Sequence, residues 1–195
     1  MYKRQDTGSV VWCVNSTEIL DTFQWPIAGT HLYICSYDTL YCFNTENGVE
    51  RWNISTGGTG THLMIHGNNL YLGSRNAELY CVNADSGEQQ WVISMVGNVY
   101  SSPAVVNGFV YFGASDGYVY CLDTETGEIV WRFKTHAQVR SSPAIMDGFL
   151  YIGSDDHYLY CLNIENGEMV WRFECGGEVR SSPACLLYTS PSPRD

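Results

Sequence analysis

Residues 111–131 read YFGASDGYVYCLDTETGEIVW, and residues 151–171 read YIGSDDHYLYCLNIENGEMVW. The two stretches keep the same spacing of tyrosine, glycine, cysteine and tryptophan, and residues 33–52 and 71–91 are looser copies. The tryptophans that close the copies belong to one series with spacings of 40, 39, 40 and 40 residues: Trp12, Trp52, Trp91, Trp131 and Trp171. Self-similarity at this period indicates a repeat architecture, so the structure of one repeat decides the fold.

Each repeat contains four short apolar runs, which in the clearest copy are residues 103–106, 109–114, 118–123 and 129–134. Runs of this length separated by turn residues predict β-strands. The pair Asn107-Gly108 supplies the positive φ angles that a tight hairpin requires. The third turn ends on a glycine that reverses the chain in three copies: Gly87, Gly127 and Gly167. Four antiparallel strands in a 40-residue meander describe one blade of a β-propeller.

The predicted fold is therefore all-β, with four complete blades at about 19–54, 59–94, 99–134 and 139–174 and partial blades at both ends. Because blades pack face to face, both faces of a strand can be apolar. The repeated tryptophan is expected to dock between neighbouring blades, where burial of roughly 200 Å² would contribute several kcal/mol. No run of 18 apolar residues is present, so no membrane span is predicted in this segment.

The two ends of the chain do not resemble protein-coding sequence. Residues 1–5 read MYKRQ and residues 185–195 read CLLYTSPSPRD, which are translations of a transposase end and of its reverse strand followed by sequencing adapter. We interpret both as adapter-derived, which leaves residues 6–184 as a natural segment of a longer protein. That segment carries 20 acidic and seven basic side chains, a net charge of about −13. An acidic surface repels phosphate groups, so nucleic acid is not an expected partner.

The segments SSPA, VYFGASDG, YCLD and TGE, the last followed three residues later by tryptophan, resemble the PQQ-like repeat of quinoprotein-type β-propellers. The resemblance covers nearly all of residues 6–184 and is sharpest over residues 99–184. It implies a ring of seven or eight blades, of which this chain holds about half, so the missing blades are expected partners. WD40 repeats have a similar length, but their Gly-His and Trp-Asp pairs are absent.

One recurring position carries candidate ligand-binding residues. Tyr100, Arg140 and Arg180 each precede a Ser-Ser pair, and the first strand of a propeller blade lines the central channel. These side chains are expected to form an arc at the mouth of the channel, together with the first serine of each pair: Ser101, Ser141 and Ser181. An arginine cluster suits an anion or carboxylate, and quinone cofactors of the family carry carboxylates. The alternative is that these side chains satisfy backbone carbonyls and turn acids of adjacent blades.

The cysteines favour structural roles. Four of them occupy one equivalent position in successive blades, too far apart for disulfides, and are expected to be small buried hydrophobes: Cys42, Cys81, Cys121 and Cys161. Cys35 and Cys42 flank one hairpin, and a pairing between them is left open. No Cys-x-x-Cys spacing occurs, which argues against zinc.

The histidines and carboxylates also favour structural roles. The five histidines occupy unrelated repeat positions, so no metal site is predicted. The turn carboxylates, among them Asp116, Asp155 and Asp156, are expected to cap hairpins. General acid and base catalysis needs carboxylates that converge, so no catalytic residue is predicted.

Three function classes remain open: a non-catalytic propeller that binds protein or an extracellular polymer, a PQQ-dependent dehydrogenase, and the sensor domain of a signalling protein such as a kinase. Fold alone does not choose among them. Such dehydrogenases place an adjacent Cys-Cys pair over the quinone, and residues 6–184 contain no such pair. The connections between the predicted strands of residues 6–184 are also short, whereas an enzyme usually has a longer insertion where its active site is built. We therefore favour a binding scaffold that is periplasmic, cell-surface or extracellular and has no cofactor, PQQ being expected only in the dehydrogenase alternative.

Overall fold

The computed structural model describes residues 2–6, 9–14, 27–58 and 60–184, with only the backbone described for residues 2–6, 9–14 and 60–62. Within these ranges the chain forms 18 β-strands and no helix. The first two strands, β1 (Tyr2–Asp6) and β2 (Ser9–Val14), pair as an antiparallel hairpin that includes part of the sequence interpreted as adapter. Accordingly, the described residues contain no helix long and apolar enough to cross a membrane.

The other strands form four antiparallel sheets, each a four-stranded meander in chain order. Blade 1 contains β3 (Ile27–Ala28), β4 (His31–Ser36), β5 (Thr39–Asn44) and β6 (Glu50–Ser55). Blade 2 contains β7 (Gly60–His66), β8 (Asn69–Ser74), β9 (Glu78–Asn83) and β10 (Gln89–Ser94). Blade 3 contains β11 (Ala104–Val106), β12 (Phe109–Gly113), β13 (Tyr118–Asp123) and β14 (Ile129–Lys134). Blade 4 contains β15 (Ala144–Met146), β16 (Phe149–Gly153), β17 (Tyr158–Asn163) and β18 (Met169–Glu174).

The predicted all-β architecture of four four-stranded antiparallel blades is confirmed. In blade 3 the first two strands are each one residue shorter than predicted, and the other two have the predicted bounds. The part of the first predicted blade that covers residues 19–26 lies outside the described residues.

A β-bulge recurs between the third and fourth strands of every blade. In blade 3, Cys121 pairs with Trp131 while Leu122 pairs with Ile129, so Val130 is the extra residue. The corresponding extra residues of the other blades are Arg51, Gln90 and Val170. A bulge bends its strand and increases the local twist. In each blade it directly precedes the repeated tryptophan.

Each of the first three described tryptophans lies against the third turn of the next blade. Its indole Nε1 donates a hydrogen bond of 3.0 to 3.1 Å to a turn carbonyl: Trp52 to Ala84, Trp91 to Thr124 and Trp131 to Ile164. A Cβ atom on the turn glycine would lie only 2.5 to 2.9 Å from the nearest indole atom, which applies to Gly87, Gly127 and Gly167. On the last blade, Trp171 is 43% exposed, against 9% for Trp91. The side chain of Trp12 lies outside the described residues.

The two rims of this arc of blades differ in content. One rim, the double-turn face, carries the first and third turns of every blade: residues 29–30 and 45–49, 67–68 and 84–88, 107–108 and 124–128, and 147–148 and 164–168. The opposite rim, the connection face, carries the second turns and the segments that lead from one blade to the next, such as residues 135–143. Strand direction reverses at each turn of a meander. Tyr100, Arg140 and Arg180, which precede the first strands, therefore lie on the connection face, and the third turns lie on the opposite rim.

Candidate functional site

The inner edge of the connection face is built from the Ser-Ser pairs that precede the first strands. The backbone N–H of Ser102 donates to Ser142 Oγ at 2.8 Å, and the N–H of Ser142 donates to Ser182 Oγ at 3.0 Å. These bonds join residues 40 positions apart, so they link each blade to the next. The second serine of each pair, which was not among the predicted site residues, therefore connects successive blades.

The predicted arc residues do come together. The guanidinium carbon of Arg140 lies 5.4 Å from the ring centroid of Tyr100, within the range of a cation–π interaction. Asn98 donates to the Tyr100 hydroxyl at 2.8 Å, and Arg140 donates to Gln138 Oε1 at 3.0 and 2.6 Å. Tyr100 and Arg140 are thus fixed by each other and by amides of the same two connections.

Asp155 joins the two arginines of the arc. Arg180 binds it in a bidentate manner, with Nε 3.0 Å from Oδ1 and NH2 3.3 Å from Oδ2. Arg140 Nε lies 3.3 Å from Oδ2, and Arg180 NH2 also lies 2.6 Å from Glu178. The Asp155 side chain is only 9% exposed, whereas the arginines are 38% and 51% exposed. Hydrogen bonding to Asp155 raises the pKa of Arg180 above its usual value.

The first serines of the pairs bind backbone. Ser101 Oγ donates to Gly113 O at 3.0 Å and accepts from Gly113 N at 2.9 Å, and Ser141 Oγ accepts from Gly153 N at 3.2 Å. Both are fully buried, whereas Ser181 is exposed. Two of the three predicted serines therefore hold the segment that leads into the first strand of a blade to the end of its second strand.

Asp155 does not cap its hairpin, unlike its neighbour. Asp156 accepts hydrogen bonds from the backbone of His136 at 2.9 Å and of Tyr158 at 3.1 Å and from the Tyr160 hydroxyl at 2.7 Å. Burial raises the pKa of Asp156, but these hydrogen bonds outweigh it and hold the pKa below its usual value. The role of Asp155 was missed in the sequence because its repeat position holds serine at 115 and arginine at 75.

The four cysteines that share one repeat position are buried, as predicted: Cys42, Cys81, Cys121 and Cys161. Burial raises the pKa of Cys42 and Cys81 to about 11 and that of Cys35 and Cys121 to about 12. All six cysteines whose side chains the structure describes are free, including Cys35 and Cys42. Thiols of this kind stay protonated at neutral pH and are poor nucleophiles. Among the described residues, no three His, Cys, Asp or Glu side chains converge on a possible metal position.

The charged side chains in the turns of the double-turn face are all acidic. Its turns contain no lysine or arginine and eight exposed carboxylates: Glu46, Asp85, Glu88, Glu125, Glu128, Asp147, Glu165 and Glu168. The basic residues Arg75, Arg140 and Arg180 lie on the connection face. One rim of the described blades is thus predominantly acidic, with Arg51 at the start of β6 as a basic residue beside a third turn, and the other rim is of mixed charge.

A cleft of about 290 Å³ opens on the double-turn face between blades 3 and 4. Its lining includes Phe109, Tyr111, Cys121, Val130 and Ile164, with Glu165 as the charged residue. The cleft was not predicted, because its walls come from two blades whose relative placement a repeat pattern does not specify.

Comparison with known proteins places this arrangement in context. A family model described as outer membrane protein assembly factor BamB matches residues 53–143 and 115–186, which together make up more than half of the chain. No curated protein sequence matches the chain.

Solved structures share the fold at low sequence identity. BamB from Moraxella catarrhalis superposes with a TM-score of 0.79 at 18% identity, covering 90% of this chain and 58% of that one. The computationally designed Ika8 protein gives 0.75 at 16% identity, covering 90% and 56%. The quinohemoprotein alcohol dehydrogenase ADHIIG from Pseudomonas putida HK5 gives 0.68 at 17% identity, covering 77% and 33%. The chain therefore spans about half the length of the first two structures and a third of the dehydrogenase.

Proposed function

Because this chain belongs to the PQQ_2 family, whose model is described as outer membrane protein assembly factor BamB, we propose that it is a non-catalytic binding scaffold. Its partner is a protein or an extracellular polymer of positive charge, held on the double-turn face. The observation that carries the proposal is the separation of charge between the rims, with eight exposed carboxylates and no basic residue in the turns of one rim. Surfaces of one sign attract and orient partners of the opposite sign.

The connection face supports the same proposal by what its arginines already bind. Arg140 and Arg180 share Asp155, and Arg180 also contacts Glu178. A quinone carboxylate bound at this arc would have to displace carboxylates of the chain itself. We therefore propose that the segment works without PQQ and that the arc holds blades together.

The family description also supports a location outside the cytoplasm. It names an outer membrane protein assembly factor, and the outer membrane lies beyond the inner membrane of the cell. We propose that the protein of which this segment is part is exported, in keeping with a role in binding other exported proteins.

Selection from a displayed library of random dodecapeptides tests the binding scaffold. Peptides enriched on the purified chain should carry net positive charge and bind with an affinity that falls as NaCl rises, because exposed charges are screened. The paired reversal Glu125→Lys and Glu165→Lys should weaken their binding at least tenfold. The matched control places Asp38→Lys and Glu174→Lys elsewhere on the molecule and should change affinity less than twofold. Failure to enrich cationic peptides, or equal binding to both double variants, would show that the double-turn face is not the binding surface.

A further inference from the structure

The cleft between blades 3 and 4 differs from the equivalent place between blades 1 and 2. There the positions of Phe109, Val130 and Glu165 are taken by His31, Arg51 and Asp85. His31 Nε2 lies 2.7 Å from Arg51 NH1 and 3.9 Å from Asp85 Oδ1, so polar groups bind one another across that junction. Between blades 3 and 4 the same positions give two apolar walls and a carboxylate with no basic neighbour at either of the other two positions.

The apolar character of the cleft continues onto the surface beside it. Val130 is the bulged residue of β14 and is about half exposed, as is the adjacent Ile129. The volume of about 290 Å³ lies just below the range of small-molecule pockets, roughly 300 to 1,000 Å³. Such a cleft holds one large side chain better than it holds a ligand the size of a cofactor.

The charges around the cleft specify what must accompany that side chain. The turns that line the cleft are the first turn of blade 3 and both double-turn-face turns of blade 4, and they contain the exposed carboxylates Asp147, Glu165 and Glu168. The third turn of blade 3 adds Glu125 and Glu128 on the same face. An acidic segment would be repelled there, whereas arginine donates paired hydrogen bonds to carboxylates.

We propose that this cleft is a docking site for a basic peptide segment that inserts one aromatic or large aliphatic side chain between Phe109 and Val130. The inference rests on the proposed function, since it assigns a partner class to the same face. The apolar side chain provides most of the affinity, because its burial removes apolar surface of both partners from water. The flanking arginines provide orientation and rapid association.

Calorimetric titration with the acetylated, amidated peptide Arg-Arg-Gly-Trp-Gly-Arg-Arg tests the cleft. The peptide should bind at least tenfold more tightly than its Trp→Ala counterpart, and the counterpart with glutamate in place of every arginine should not bind. Val130→Gln introduces the residue of blade 2 and should weaken binding at least fivefold. Val170→Gln makes the same change at the equivalent exposed position of blade 4 and should change affinity less than twofold.

The outcomes distinguish docking in the cleft from binding elsewhere on the double-turn face. If the Trp and Ala peptides bind equally, or if the Val130→Gln and Val170→Gln variants bind alike, the cleft is not the docking site, even where binding still depends on Glu125 and Glu165. If neither cationic peptide binds in a salt-dependent manner, the cleft inference is wrong, and a failed library selection would then reject the proposed function as well. Binding of the glutamate peptide would also overturn the inference.

Discussion

The glycine at the end of each third turn serves two needs that only this residue meets together. Gly167 has φ of +72° and lies under the indole of Trp131, so a side chain there would be strained in its backbone and would collide with the ring. Gly148, in the first turn of the same blade, has φ of +81°, but a Cβ atom there would have no atom within 4 Å. Both glycines therefore have a positive φ angle, but only Gly167 also leaves room for an indole ring.

This difference predicts unequal effects of one substitution. Gly148→Ala should lower the free energy of unfolding by about 1 kcal/mol, because only the left-handed backbone opposes it. Gly167→Ala should lower it by about 2 to 4 kcal/mol, because the indole of Trp131 must also move and overpacking adds to the strain. Urea unfolding followed by circular dichroism measures both values. Equal losses would mean that the tryptophan does not depend on the glycine beneath it.

Asp155 shows where residue-level reasoning from the sequence stops. The repeat assigned it to a turn and suggested a capping role, which its neighbour Asp156 performs. Its two arginines are 15 and 25 residues away and belong to different inter-blade connections. Their meeting depends on the angle between blades, which a strand pattern does not contain. The same holds for the cleft at Val130, because an empty space has no sequence signal of its own.

At the scale of elements, the bulge before each tryptophan connects strand pairing to blade packing. Side chains alternate between the faces of a strand, so adding or removing one residue turns every following side chain to the opposite face. In blade 2 the extra residue is the exposed Gln90, and the following Trp91 is the most deeply buried of the described tryptophans. The bulge therefore decides which neighbour the indole meets.

Deletion of Gln90 is expected to undo this packing, whereas its substitution is not. Without the bulge, the Trp91 indole should lose its hydrogen bond to the Thr124 carbonyl and its contact with Gly127, with a loss of about 3 to 5 kcal/mol in the free energy of unfolding. Gln90→Ala should change this free energy by less than about 0.5 kcal/mol, because the side chain is exposed. Chemical unfolding with tryptophan emission as the signal measures both, and an unchanged stability on deletion would contradict the role given to the bulge.

The strands themselves were predictable because their signals are local. Asn107-Gly108 fixes a two-residue hairpin, and once the hairpin is fixed, the pairing of Val106 with Phe109 follows. Because the sequence repeats with a fixed period, the equivalent residues of the other blades are predicted to form the same strands. The bulges were not predicted, since residues 129–134 read as one continuous strand whether or not Val130 is paired.

At the scale of the whole molecule, two electrostatic effects oppose each other. The chain has a net charge of −11, and the eight exposed carboxylates of the double-turn face repel one another in the compact state. On the connection face, the ion pairs of Arg140 and Arg180 with Asp155 stabilise the folded state. Arg140 and Arg180 are 38% and 51% exposed, so solvent screens their pairs with Asp155. Such pairs contribute on the order of 1 kcal/mol each, too little to offset the repulsion of a strongly acidic surface.

Salt should therefore stabilise the folded chain. The screening length falls from about 30 Å at 0.01 M to about 10 Å at 0.1 M ionic strength. This weakens the repulsion between turns but leaves short contacts such as Arg180 to Asp155 largely intact. Raising NaCl from about 10 to 200 mM should raise Tm by a few °C, as about 1 kcal/mol corresponds to 2 to 4 °C at this size. The double variant Glu125→Gln and Glu165→Gln should raise Tm at low salt and reduce its salt dependence. Glu178→Gln removes an ion pair with Arg180 and should not raise Tm at low salt. A Tm that falls as NaCl is added would show that the ion pairs of the connection face outweigh the repulsion of the acidic rim.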